Sequence, residues 1–508
     1  MRVNPLRLVV TSFLLACITS LGKAQGPNPT AAERISPAEY ASRRAELTKG
    51  INSGAVLAFG EVEPVVDWPG FFQLPAFHYL TGFDESDAVL LIVKRNGVAS
   101  STVFVPTRAR ADARFLGTRT APSELQSLIG INGRDINALR SAVDSVAASG
   151  IPFYVVSDYH NGDYVVEDSL TRGIRFLQQL RAAHPSLAAT SLDTTVQRLR
   201  ARKSNAEIAL LRRAAQISAR AHRDAMRATA PGCGEYEIQA VLDGTFRRLG
   251  GDRPGYGSIV GGGKNSTILH YSDDNDVLHA GDLLLIDAAT SFNHYSADVT
   301  RTMPVNGKFS PAQRDIYQLV RDAQEAFVRQ IKPGVSYQVP NEAGKAVINA
   351  GLVRLGLIES ADAKFDPANP AFCPPSGCEQ RLLYAWHGYG GHGIGLEVHD
   401  PAQYYSQPGT FMTGDVFTVE PGIYVSPDDL ADLPDTPRNR AMRAKIGPAF
   451  EKYKWIGVRI EDDYALTDSG LEQLSSGVPR EMGEIEALMG NPLPDLPGGG
   501  KCGTRANR

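Results

Sequence analysis

The chain is expected to fold as two domains, an α/β amino-terminal domain followed by an α+β domain made of two related halves. Three observations lead there. Apolar runs at 55–59 (AVLAF), 88–94 (AVLLIVK), 102–106 (TVFVP) and 153–158 (FYVVSD) alternate with helical stretches over residues 36–195, the pattern of a sheet covered by helices. From Ser204 onward a plan of helix, Pro-Gly pair, helix and strands occurs twice. At 508 residues with 43% apolar content, the chain is too long for a single core.

Taken in order, residues 1–24 read as a secretory signal. Arg2 and Arg7 precede LVVTSFLLACITSL, which is too short to span a bilayer once its polar members are counted, and Gly22-Lys23-Ala24 offers small residues at the cleavage offsets. Lipoprotein processing at Cys17 is the less favoured alternative, because the residue before Ala16 is leucine. The protein is therefore expected to be secreted or periplasmic. Residues 25–35 form a linker, 36–195 the α/β domain and 196–480 the second domain. In the latter, Ser204 with Glu207 makes a capping box ahead of Ile208, Leu211, Ala215, Ala219 and Met226 on one helical face. Ser310, Pro311 and Gln313 open a second helix the same way, ahead of Ile316, Val320, Ala323 and Phe327. Each ends near a Pro-Gly pair, at Pro231 and at Pro333. Residues 481–508 hold a helix end and a tail, NPLPDLPGGGKCGTRANR, with too little apolar content to fold.

Between the two capped helices, LLLIDAATSFNHYSADVTRTM reads as a β-hairpin with Phe292 and Asn293 near its tip. Symmetry about that tip sets Asp287 directly opposite Asp298, with Cβ atoms only ~5 Å apart. Leu283, Leu285, Thr300 and Thr302 share their face. If that face is buried, two carboxylates there need a cation or a shared proton; if it is exposed, both are simply solvated. Downstream, HGYGGHGIGLEVHD gathers His387, His392 and His399 in a glycine-rich stretch where the backbone can approach a ligand closely. DVFTVEPGIYV places Glu420 at a strand end, and WIGVRIEDDYALT places Glu461 inside a strand, with Arg459 one strand period before it on the same face. Taken singly, each acid reads more naturally as solvated. Together, four carboxylates and a histidine suit two divalent ions, manganese by its preference for oxygen, with zinc or cobalt admitted by the imidazole.

These residues resemble the M24B metallopeptidases, the Xaa-Pro aminopeptidases (aminopeptidase P) and prolidases, over about residues 36–489. The strings that carry the resemblance are ILHY around His270, IDAA around Asp287, ADVTRTMPVNGKFS from Ala297, GLEVHD through His399, TVEPGIY around Glu420 and GVRIEDD around Glu461; HYLTGF at 78–83 is similar to the amino-terminal domain of creatinase and aminopeptidase P. The resemblance implies a "pita-bread" catalytic fold with metal ligands Asp287, Asp298, His392, Glu420 and Glu461. Asp287 would chelate one ion, His392 and Glu420 the other, and Asp298 and Glu461 would bridge them. It further implies Glu420 as proton shuttle, His270 and His399 as donors to the substrate carbonyl, and His387 in the proline pocket, although His387 lies five residues before His392 where four is usual. Arg459 would orient Glu461. Tyr424 either borders the site or belongs to the core.

The activity implied is release of the first residue from peptides with proline second. The same ligands would serve a prolidase, which cuts only Xaa-Pro dipeptides. A metal-free pita-bread binding module and a creatinase-like amidinohydrolase are disfavoured by the complete ligand set. A homo-oligomer, dimer or tetramer, is implied by the family. Formal net charge is −4 and no basic patch carries interleaved aromatics, so nucleic acid is not an expected partner; no stable membrane span is expected either. Residues 426–452, rich in proline and charge, read as a surface insertion that could shape the substrate site. Cys373 and Cys378 flank PPSG, a spacing open to a local disulfide in an oxidising compartment; without a second such pair it does not read as a metal site.

Overall fold

The computed structural model describes residues 33–64, 70–157, 171–369, 373–385, 391–401 and 409–493. The leader, Cys17, His387 and the carboxyl tail beyond 493 lie outside the described residues. No helix among those described is long and apolar enough to cross a membrane.

The amino-terminal domain is a mixed six-stranded sheet of β1 (Gly54–Phe59), β2 (Val89–Arg95), β3 (Val98–Val105), β4 (Asn132–Asp135), β5 (Phe153–Val156) and β6 (Ala189–Ser191), in the order β4-β3-β2-β1-β5-β6. Side chains alternate across a strand, so β1 serves two cores. Val56 and Ala58 join Leu90 and Ile92 in the core that continues into the second domain, while Ala55, Leu57 and Phe59 pack with Leu139, Val143 and Leu180 on the other side. The four apolar strands are those the sequence suggests. β4 and β6 escape it: NGRD and ATS carry no apolar period, being short polar strands at the two edges of the sheet.

In the second domain the helices Asn205–Ala228 and Pro311–Val328 both open with the expected capping boxes, Ser204 with Glu207 and Ser310 with Gln313. Every apolar residue assigned to their inner faces is buried. Each packs against the helix after its Pro-Gly turn, Glu235–Arg248 in one half and Gln338–Leu355 in the other. The strands of the first half are β7 (Ile259–Gly262), β8 (Leu283–Asp287), the two-residue pair β9 (Ser291–Phe292) and β10 (Tyr295–Ser296), and β11 (Thr300–Pro304). Those of the second are the short pair β12 (Lys364–Phe365) and β13 (Cys378–Glu379), then β14 (Val416–Val419), β15 (Gly422–Val425), β16 (Ile456–Arg459), β17 (Asp462–Thr467) and β18 (Gly470–Gln473). Cys373 and Cys378 are disulfide-bonded.

Three expectations need correction. The hairpin turns at Asn293 and His294, both with positive φ (47° and 70°), as a two-residue type I′ turn requires. Moving the tip by one residue moves the pairing by two, so Asp287 faces Thr300 and not Asp298. The insertion at 426–452 does not lie wholly at the surface: the helices Pro427–Ala431 and Pro437–Tyr453 occupy it, and the second buries Met442, Ile446 and Phe450. Those three lie four apart, a helical signal that the surrounding prolines and charges obscure. Glu461 is not inside a strand but at the break between β16 and β17, which belong to different sheets; the chain changes direction there and can turn the carboxylate inward.

Candidate metal centre

Asp287 ends β8, and Asp298 precedes β11 on the returning arm, so both arise from the first half. Glu420 directly follows β14 and Glu461 follows β16, so both arise from the second. The hairpin base and Glu461 are buried, with Asp287 7%, Asp298 5% and Glu461 1% exposed. His392 Nε2 lies 3.4 Å from Asp298 Oδ2 and 3.6 Å from Glu420 Oε1, and ligand atoms of Asp298, His392 and Glu461 all fall within 4.8 Å of one another. The five side chains assigned from the sequence therefore converge where the halves meet.

Such a cluster is electrostatically unfavourable without a cation. Burial and the neighbouring Asp287 charge push the Asp298 carboxyl up to about 7. Burial, with the charges of Asp298, Glu420 and Asp287, raises Glu461 well above the carboxylate range. Burial alone would depress His392, but its contact with Asp298 and the charge of Glu420 prevail and lift it to about 9.

The donor set fits divalent metal ions. Asp298 Oδ1 is buried with no hydrogen-bond partner. His392 Nδ1 is 3.1 Å from the Gly393 carbonyl; donation there leaves Nε2 as the free donor atom facing the acids, the usual arrangement of a metal-bound histidine. A Cβ at Gly391 would collide with Thr418 and come within 2.7 Å of Glu420 Oε1, so glycine is needed where the backbone passes the acids.

The surrounding contacts show how the carboxylates are held. Tyr256 Oη donates to Asp287 Oδ1 at 2.6 Å, and Arg459 Nη2 donates to Asp287 Oδ2 at 2.5 Å. Arg459 also reaches Tyr424 Oη at 2.7 Å and Thr300 Oγ1 at 3.1 Å, and Thr300 Oγ1 in turn donates to Glu461 Oε2 at 2.6 Å. Arg459 thus pairs directly with Asp287 and meets Glu461 only through Thr300, a correction to the expected Arg459–Glu461 pair that follows from the two-residue shift in hairpin register. Tyr256, Thr300 and Asp463, which accepts from the Asp298 amide, have roles the sequence reading missed. Only Thr300 left a trace there, as a hydroxyl on the aspartate face.

The sequence profile of metallopeptidase family M24 matches residues 209–468, and that of the aminopeptidase P amino-terminal domain matches residues 40–151. The chain belongs to metallopeptidase family M24. Among M24 relatives, the Xaa-Pro aminopeptidase of Escherichia coli is 34% identical over 469 residues, covering 90% of this chain and 98% of that one. The Xaa-Pro aminopeptidase of Haemophilus influenzae is 34% identical over 465 residues, covering 89% and 97%. Among solved structures, proline aminopeptidase P II from Yersinia pestis superposes with a TM-score of 0.74 at 31% identity, covering 90% of this chain and 100% of that one. Zinc-substituted Escherichia coli aminopeptidase P in complex with product gives 0.73 at 31%, covering 90% and 98%. The architecture is accordingly that of aminopeptidase P, an α/β amino-terminal domain on a pita-bread catalytic domain.

In this M24 metallopeptidase His399 and His270 fall at the rim. His399 stands over the cluster, its ring centroid 4.0 Å from that of His392. Its loop is tied down by buried ion pairs from the inter-domain helix Asp193–Ala201, Arg200 to Asp400 at 2.9 Å and to Glu397 at 2.6 Å. His270 is exposed, one residue past Leu269, whose carbonyl lies 3.4 Å from Arg459 Nη2.

Proposed function

We propose that the protein is an Xaa-Pro aminopeptidase, releasing the first residue from peptides with proline second, with Asp287, Asp298, His392, Glu420 and Glu461 holding two divalent ions. What supports it is the convergence of these five side chains from both halves of the fold, in a chain similar to Xaa-Pro aminopeptidases along nearly its whole length. The oxygen-rich set favours manganese, with zinc or cobalt as substitutes. When bound, the ions supply an acidified water nucleophile and polarise the scissile carbonyl.

The chain's own groups complete the reaction. Glu420, beside the cluster and less buried than Glu461, takes the proton of the attacking water and passes it to the leaving nitrogen. His399 and His270 donate to the carbonyl oxygen as it gains charge. Arg459 and Tyr256 hold Asp287 in a fixed orientation. His387, outside the described residues, is assigned to the proline pocket on the family resemblance alone.

Hydrolysis of an Xaa-Pro-Pro peptide with and without Mn2+, beside Glu420→Gln, tests this reading. The variant should keep its fold and lose about 10²–10⁴-fold in turnover; equal rates would remove Glu420 from the mechanism. Cleavage of Xaa-Pro dipeptides alone would make the enzyme a prolidase. We also propose export through residues 1–24, checked by a mature protein beginning at Gln25. Self-association is supported by the exposed apolar pair Phe115 and Leu116 and is measurable as mass in solution.

A further inference from the structure

Away from the acid cluster, three other ligand-type side chains converge at the junction of the two domains. His78 lies in the helix Pro75–Thr81 of the amino-terminal domain, and Asp84 follows that helix. His294 is the second residue of the β9–β10 turn. Asp84 Oδ1 is 2.7 Å from His78 Nδ1 and 3.1 Å from His294 Nε2. The two imidazoles lie against each other, centroids 4.1 Å apart.

His294 occupies its turn position at a cost. Its φ of 70° is left-handed, a conformation that costs an L-residue about 1–2 kcal/mol and that a type I′ turn normally fills with glycine. A side chain kept there against that cost points to a use for the side chain. The ring is also built in: Phe72 packs on it at 4.5 Å, and its backbone amide donates to Asp252 Oδ2 at 2.9 Å.

We propose that His78, Asp84 and His294 form a transition-metal site that clasps the amino-terminal domain to the metal-cluster hairpin. Two imidazole nitrogens and one carboxylate oxygen suit Zn2+ or Co2+ and leave Ca2+ and Mg2+ poorly served. Tetrahedral bonds of roughly 2.0–2.1 Å set donor atoms roughly 3.3 Å apart, so the observed 2.7 and 3.1 Å separations need to open by about 0.6 and 0.2 Å, and all three donor atoms already lie within 4.8 Å of one another. Burial lowers the basicity of His78, keeping a lone pair for the ion at neutral pH, and against its own burial Asp84 is held below the usual carboxylate range by hydrogen bonds from the two imidazoles. The Asp84 side chain is half exposed, giving the ion a way in and a water the fourth position.

The site stands apart from hydrolysis, and its test does not depend on what the acid cluster does. Full-length protein is stripped with chelator and titrated with Zn2+ against a chromophoric chelator, and with Co2+ followed by its visible absorption. The comparison is with His294→Gly, whose glycine suits the turn, and with Asp84→Asn. Each variant should bind one ion fewer than wild type and lose the Co2+ band of a tetrahedral nitrogen-rich site, while peptide hydrolysis in added Mn2+ is unchanged. Protein carrying Asp298→Asn and Glu461→Gln should still take up one Zn2+ that His294→Gly then abolishes. If the acid cluster bound no ions at all, the difference between wild type and His294→Gly would persist. Equal Zn2+ stoichiometry in wild type and His294→Gly overturns the proposal and leaves the three residues as a hydrogen-bonded network only.

Discussion

Thr300→Val preserves the shape of a fully buried side chain and deletes its hydroxyl. That hydroxyl donates to Glu461 Oε2 at 2.6 Å and accepts from Arg459 Nε at 3.1 Å. The Arg459 bond joins a charged group and is worth about 1.5–3 kcal/mol; in metal-free protein, where burial and the neighbouring acids favour a protonated Glu461, the other is a neutral bond worth about 0.5–1.5 kcal/mol. Both pass through one oxygen and are not independent, so a loss of about 3 kcal/mol in stability is expected for the pair. The larger consequence is for the metal. Glu461 already faces the charges of Asp298, Glu420 and Asp287, and among the described residues Thr300 is the side chain that donates to it. Loss of such an outer partner weakens metal affinity by about 10–100-fold. Mn2+ affinity is read by competition with a chromophoric chelator and stability by the urea midpoint of chelator-treated protein, with Thr300→Ser as the variant that keeps the hydroxyl. Valine and serine variants that bind Mn2+ equally tightly would refute the reasoning.

The pH dependence of metal-free protein has a definite sign. Asp298 is raised from 3.8 to about 7 and His392 from 6.5 to about 9. In both cases the folded chain holds a proton that the unfolded chain has released, so stability falls as pH rises from about 4 to about 9. The metal-loaded protein should lack this decline, and matching thermal curves with and without chelator at high pH would count against the cluster. Gly391→Ala drives a methyl into Thr418 and towards Glu420; kcat/KM should collapse while the circular dichroism spectrum holds, and a fully active variant would mean that the segment can shift freely. Arg200→Met removes the guanidinium that Asp400 and Glu397 share next to His399, which should cost about 3–5 kcal/mol and lower kcat more than it raises KM, measured by urea unfolding and steady-state kinetics.

The sequence made legible whatever rests on short-range physics. Capping boxes at Ser204 and Ser310 satisfy orphan amides within one turn, so they are visible without knowing the fold. The apolar runs of β1, β2, β3 and β5 are visible for the same reason. The acid set could be picked out because charged residues on otherwise apolar strands need an explanation. The missing parts depend on distant partners. β4 and β6 are strands only because a sheet edge was there to pair with. Tyr256 and Asp463 have no local pattern, and their role appears only when β8, β11 and β17 come together. The hairpin error was local, however. Left-handed φ costs a histidine less than a phenylalanine, so Asn293 and His294 make a better turn than Phe292 and Asn293, and that reading alone would have set the register.

That register also explains how one hairpin serves three contacts. With Asp287 opposite Thr300, the threonine hydroxyl lies between Arg459 and Glu461, so the guanidinium that neutralises Asp287 also fixes a carboxylate of the other half. Asp298 then falls on the returning arm with its amide on Asp463 and one carboxylate oxygen buried and unpaired. At the far end, the same turn geometry aims His294 at Asp84 of the amino-terminal domain. A strand pair whose base meets both halves of the catalytic domain and whose tip meets the other domain cannot shift by one residue without losing all three sets of contacts. This rigidity is what a cluster of mutually repelling carboxylates requires if it is to keep its geometry before any cation arrives.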